Sequence, residues 1–342
     1  EYENTALSND DSQQTPESTD DDLPEDLDEF YERPPIPSFH IGRVSKQQVD
    51  LLVVEPVVPW APDDDPDTRF EKLVMGVRKL AESTHERIRL AEVLDTYFRT
   101  LWTLSLSVPL PYVKSSPFGL KGTDEIPIYA ISNKGGRSQA ALVPLDANET
   151  IETKLGLLGE VNAEFALIVD GIALKRPLEF PVLINPGAIS SLMFVGRLRS
   201  ELASIADEYN GGPIEFEAYF YWQPKITPAD HNGIMVRING ASGILFDHQF
   251  LGYQISEFTR LRQLTAEIFV TRGLDAALNI DRESFNVAHT HYQVLRKWVH
   301  HALRQIMSAQ KRITNVASSA RLEGGLSAAV AQLSSIVGKD NN

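Results

Sequence analysis

The hydrophobic positions change period several times along the chain, and each change marks an expected element. Phe70, Leu73, Val74, Val77, Leu80 and Ala81 recur at steps of three and four. Ile88, Leu90, Ala91, Val93, Leu94, Tyr97, Phe98, Leu101 and Trp102 continue the pattern. Such steps put one apolar stripe on a helix, so 67–110 reads as one or two packed helices, stopped by Pro109-Leu110-Pro111. Asp63-Asp64-Asp65 precedes the first of them and suits its positive end. The segment 111–185 reads as β-rich. Short apolar runs at Glu125–Ile131, Ala140–Val143 and Phe165–Val169 are parted by Gly135-Gly136, by Asp146-Ala147-Asn148 and by Asp170-Gly171.

The clearest order lies in 186–312. Glu215–Trp222 alternates polar and apolar at its start, the pattern of a half-buried strand. Gly233–Gly240 and Leu264–Thr271 give two more strands. A polar loop, 275–286, leads into a helix over His291–Arg312, with Val294, Leu295, Trp298, Val299, Ala302, Leu303, Ile306 and Met307 on its buried side. Three strands, a loop and a helix make an α+β layer. The tail, 313–342, holds Gly324-Gly325 and a helix-like Leu326–Val337. It packs on the domain or pairs with another chain, and the sequence leaves both open.

Charge changes the picture at the N-terminus. Residues 1–32 carry 13 acidic side chains and no Lys or Arg, so the net charge of −15 leaves −15 − (−13) = −2 for the remaining 310 residues. The first 34 residues are too polar to offset the entropy of ordering, and 1–66 reads as a disordered, Pro-rich acidic linker with one strand at Val49–Val54. The globular part is near neutral. It shows no basic stripe for a nucleic-acid backbone, so nucleic acid is not an expected partner. With no cysteine, disulfides, thiolate zinc sites and cysteine nucleophiles are excluded. Apolar runs stop short of membrane-spanning length, and no leader peptide is legible. A cytoplasmic location is expected. The chain does not open with Met, and a fragment of a longer protein is expected.

The loop carries the candidate chemistry. Leu278-Asn279-Ile280-Asp281-Arg282-Glu283-Ser284-Phe285-Asn286 follows a strand and precedes a long helix. This segment resembles the catalytic loop in the middle domain of the heat-shock protein 90-like ATPases of the GHKL superfamily, where apolar-Asn-apolar-Ser-Arg-Glu stands in the same setting. Glu215–Trp222 and Met235–Asn239 resemble that family's upstream strands, and the resemblance covers about 100 residues, 212–312. It implies a ribosomal S5 domain 2-like fold for the C-terminal half. It also implies a transducer role, in which Arg282 reaches ATP and Mg²⁺ held by a separate N-terminal domain. By the same resemblance Asn279 shapes the loop and Asn286 assists. The implied partners are that ATPase domain, a client protein and, as an open alternative, a second copy of the chain. A guanidinium suits the task because it is always charged and presents a planar fork of donors to phosphoryl oxygens. Asp281 departs from the family's serine and puts a carboxylate beside Arg282.

From spacing alone, Asp-Arg-Glu before a helix is also an ordinary capping arrangement. No Gly-x-x-x-x-Gly-Lys-Ser/Thr loop is present, and Asp170-Gly171 lacks the second glycine of an adenine-binding loop. The chain therefore has an arm for ATP and no pocket for it, and no autonomous activity is expected. His289, His291, His300 and His301 are expected to be structural rather than metal ligands, since neighbouring helical positions face apart. Ser190-Ser191 lacks a nucleophile elbow. Two further classes stay open: a scaffold that kept the fold without the ATP coupling, and a stand-alone hydrolase.

Overall fold

The computed structural model describes residues 58–83, 87–159, 165–182, 191–254, 258–280 and 284–337. The acidic linker up to residue 57, its 49–54 strand, the triplet 281–283 and residues 338–342 lie outside them.

Helix α1, Pro66–Ser83, starts where the sequence prepares it: Asp65 accepts the Thr68 amide at 3.0 Å, and Pro66 takes the first helical position, which needs no donor. Its stripe of Phe70, Leu73, Val74, Val77 and Ala81 is buried. One turn, α2 (Leu90–Val93), leads to α3 (Thr96–Ser107), which Asp95 caps through the Phe98 amide at 2.9 Å. The helical segment therefore holds three helices, because the extended backbone at Arg89 and Leu94 isolates one turn between the longer two.

The segment 111–185 is less regular than its apolar runs suggest. It holds β1 (Ile128–Ala130), β2 (Ala141–Val143), helix α4 (Ile151–Leu155) and a two-residue ladder, β3 (Ile168–Val169) with β4 (Ile172–Ala173). Then come β5 (Leu192–Ser200), α5 (Asp207–Asn210), β6 (Ile214–Trp222), β7 (Gly233–Ile238), α6 (Phe258–Leu261), β8 (Leu264–Arg272) and α7 (Thr290–Val337). The protein is α+β. Six strands form one mixed sheet in the order β2-β1-β5-β6-β8-β7, with β1–β5 and β7–β8 parallel and the other pairs antiparallel.

The sheet is covered on both faces. On one, Phe194, Phe216, Ala218, Phe220, Ile234, Ala266, Ile268 and Val270 pack against Leu295, Val299, Ala302, Leu303 and Ile306 of α7. On the other, Met193, Val195, Tyr219, Tyr221 and Phe269 pack with Phe118 and Ile151, while Met235 joins the core of α1 and α3. This corrects the half-buried reading of Glu215–Trp222: both alternate sets are buried, and Glu217 is only 3% exposed. Strand β5 is a further difference, since no strand was expected there. Gly196 breaks its apolar run, and Arg197 and Arg199 follow. That glycine is a packing requirement, because a Cβ would lie 2.9 Å from the Trp298 ring and 3.0 Å from Ile131. Two helices were expected, over His291–Arg312 and Leu326–Val337. They are one helix of 48 residues that runs through Gly324-Gly325. Its described side chains pack on this core as far as Ile313.

Candidate functional site

The loop between β8 and α7 is held at its base from three directions. After β8 the chain turns through Gly273 (φ +80°) and Leu274 (φ +71°) into a 3-10 turn, Asp275–Ala277. Gly273 has no substitute: its backbone is left-handed, and a Cβ would lie 2.7 Å from the Pro213 carbonyl. The Leu274 amide donates to His291 Nδ1 at 2.9 Å. That nitrogen is therefore bare and the proton sits on Nε2, which donates to the Gly212 carbonyl at 2.9 Å. One buried imidazole on the first turn of α7 thus ties the end of β8 to the start of β6. His289 stands beside it, with ring centroids 5.1 Å apart, and burial and the neighbouring His291 push its pKa down.

Above this anchor the loop closes on itself. Leu278 and Phe285 form an antiparallel bridge. The Asn279 amide donates to the Ser284 carbonyl at 3.0 Å, and Asn279 Nδ2 donates to Ser284 Oγ at 2.8 Å. The Asn286 amide donates to the Ala277 carbonyl at 2.7 Å, while Asn286 Oδ1 accepts the Ala288 amide at 3.0 Å. Asn279 and Asn286 are thus brought to one loop, where both shape the backbone. Arg282, Asp281 and Glu283 lie outside the described residues. Ile280, the first residue beyond the clamp, is fully exposed.

A cleft of about 660 Å³ lies between the loop and the end of β7. Asp275, Leu278, Asn279, Ile280 and Phe285 line one side; Val236, Ile238, Asn239 and the segment 241–244 line the other. The far wall is a tight hairpin. Asn239 (φ +53°) and Gly240 (φ +79°) turn the chain, and Ile238 and Ala241 exchange both backbone hydrogen bonds. The Asn-Gly pair is a strong signal for this turn, and the pattern reading passed over it.

Behind the hairpin stands a buried polar centre that the sequence did not reveal. Arg237 is wholly buried; its Nε donates to Glu267 Oε1 at 2.5 Å, and its Nη1 to the carbonyls of Leu106 (2.7 Å) and Gly240 (3.2 Å). Glu267 Oε2 accepts the hydroxyls of Tyr112 (2.5 Å) and Tyr219 (2.6 Å). The Arg176 guanidinium lies 5.0 Å from the Tyr112 ring centre. Burial drives the Glu267 carboxyl upward, but Arg237, then Arg176 and the two hydroxyls, override it and hold the group below its ordinary value. The same burial, with Glu267 next to it, pushes the Tyr219 hydroxyl far up.

The other histidines are spread out. His300 Nε2 lies 3.1 Å from the Leu251 carbonyl, and His301 Nε2 lies 3.0 Å from Ser138 Oγ on a different face of α7. Among the described residues no three His, Asp or Glu side chains are placed to hold a metal ion, and no helix is long and apolar enough to cross a membrane. Comparison of the chain with protein-family models, with curated proteins and with solved structures gave no significant match.

Proposed function

We propose that this chain is the transducer segment of a chaperone-like ATPase, with an S5-like sheet whose β8–α7 loop offers Arg282 to ATP and Mg²⁺ held by a separate GHKL-type domain. The observation that carries this reading is the clamped loop. Asn279 and Ser284 close its base, His291 anchors its root, and Ile280, two positions before the arginine in sequence, is fully exposed. The described walls of the adjacent cleft contribute one charged side chain, Asp275. A triphosphate approaching this edge needs a cation, and the sequence supplies one at position 282. The order of strand, clamped loop and long helix further supports the resemblance in 212–312. Because α7 starts one turn from the loop, a pull on the loop is passed to a helix that spans the domain. A client protein and a second copy of the chain are the partners this coupling would serve.

The test is ATP turnover by the complete gene product, with its nucleotide domain. Arg282→Ala should lower kcat by at least about tenfold while nucleotide affinity stays within about twofold, because the arginine acts on charge that develops during transfer. Arg282→Lys should recover only part of the loss. Unchanged turnover in Arg282→Ala removes the arginine from the mechanism and leaves the scaffold reading.

A further inference from the structure

On the opposite face of the sheet from α7, a second cavity of about 240 Å³ lies between α1, α3, the 177–181 segment and the ends of β6 and β8. A dry cavity of about 150 Å³ is enough to hold benzene. This one is larger and differs in its polar lining. His231 and Gln223 both line it, and they are only 4% and 7% exposed. His231 Nε2 accepts the Trp102 indole N–H at 2.9 Å, so the neutral ring carries its proton on Nδ1. Nothing among the described residues accepts that Nδ1 proton, and nothing among them bonds the Gln223 side-chain amide. Neither group is sealed in the core: both open onto the cavity, so two donors that no protein group engages stand ready on one wall for whatever enters it.

We propose that this cavity is a binding site for a small, neutral, planar heterocycle of about two fused rings with an acceptor nitrogen or carbonyl for His231 Nδ1–H and an edge that pairs with the Gln223 amide. The walls decide the class. Val74, Val77, Trp102 and Leu178 offer apolar surface, and the Trp102 ring a flat one, to a flat ligand. The charged lining is balanced and already engaged. Arg78 bridges Glu82 (2.7 Å) and Glu179 (2.9 Å), and Lys225 donates to the Ala81 carbonyl at 2.5 Å. Two cations, Arg78 and Lys225, face two carboxylates, Glu82 and Glu179, so the lining carries no net charge and suits a neutral ligand. Arg78 and Glu82 are partly exposed and mark the mouth, while His231 and Gln223 lie deeper. The site stands apart from the 275–286 loop and does not depend on the ATPase reading.

The test uses the chain with ¹⁵N-labelled tryptophan and two probes of equal size, benzimidazole, which has an acceptor nitrogen, and indole, which has none. At pH 7.5 benzimidazole should shift the Trp102 indole signal in a saturable way and leave Trp222 and Trp298, bonded to Gln263 and Asn133, unmoved. Trp102→Phe assigns the signal. Indole should bind at least about fivefold more weakly, the worth of roughly one hydrogen bond. Gln223→Leu should weaken benzimidazole by a similar factor. No saturable shift at Trp102 in the unmodified chain, or equal affinity for the two probes, overturns the proposal. Both readings need only the unmodified protein, so a variant that fails to fold does not rescue it.

Discussion

Two carboxylates, Glu267 and Glu217, sit on the same face of the same sheet, and they have opposite fates. Both are buried, at 0% and 3% exposure. Glu267 meets a guanidinium and two hydroxyls and is held charged. Burial pushes the Glu217 pKa up; the Leu158 amide, which it accepts at 2.8 Å, the Gly159 amide and then the charges of Arg199 and Arg197 favour the carboxylate but do not reverse this. Burial sets the direction unless a positioned cation reverses it. At β7 and β8 the chain supplies that cation. At β6 it does not: Arg197, directly across on β5, donates to the Gly156 carbonyl instead.

The largest effect should come from taking away the cation. Arg237→Met leaves the Glu267 carboxylate in the core without its partner and should cost about 3–5 kcal/mol in denaturant unfolding. Adding Glu267→Leu should return much of that loss. If the double variant is no better than the single one, the carboxylate is not what the arginine serves.

His231 extends the comparison to a base. Burial pushes its pKa down to about 3, from an ordinary 6.5, against the pull of Glu267. Below pH 6.5 the unfolded chain takes up a proton that the native chain refuses. The contribution is complete above pH 6.5 and is lost as pH falls toward 3, at up to about 1.4 kcal/mol per unit. His231→Gln keeps an acceptor for Trp102 and should flatten the slope of stability against pH in this window. His289 and His300 are also pushed down, so only the difference between the two proteins is diagnostic. Equal slopes would count against a neutral buried ring.

Glu217→Gln should act in the opposite sense. The native carboxyl binds its proton more tightly than the unfolded one, so the charge costs stability as pH rises past 4.5. The amide should stabilise the chain at pH 7 by about 1 kcal/mol or less, and lose that advantage by pH 4. The smallest effect is expected at the surface. Asn279→Ala removes the clamp to Ser284 and should change stability by under about 1 kcal/mol. On the proposed transducer role, the complete protein should lose ATP turnover by a larger factor than it loses stability. The reverse result would make the clamp merely structural.

These contrasts also show what a single sequence conveys. Strands β6, β7 and β8 and the stripe of α7 were legible because packing against one partner imprints a period on the chain. The second cover over the sheet was not. A charged residue at an alternate position, such as Glu217, Arg237 or Glu267, reads as facing solvent, and nothing local announces a layer drawn from 112–180. Strand β5 escaped because Gly196 answers a contact with Trp298 about 100 residues away. In the loop, Asn279 and Asn286 could be picked out by type and position, but their bonding follows from the fold. The root at His291 depends on a left-handed Leu274 that no propensity favours. The cavity beside His231 arises from five separate segments and has no linear signature.

Helix α7 turns these local fixtures into leverage. Its described side chains pack on the core as far as Ile313, and its backbone continues to Val337. A tilt of about 5° at the seat swings the far end by roughly 3 Å, at about 1.5 Å of rise per residue. A sub-ångström slip where His291 grips the strand ends would therefore be magnified at the distal tip, much as a boom amplifies a turn at its pivot.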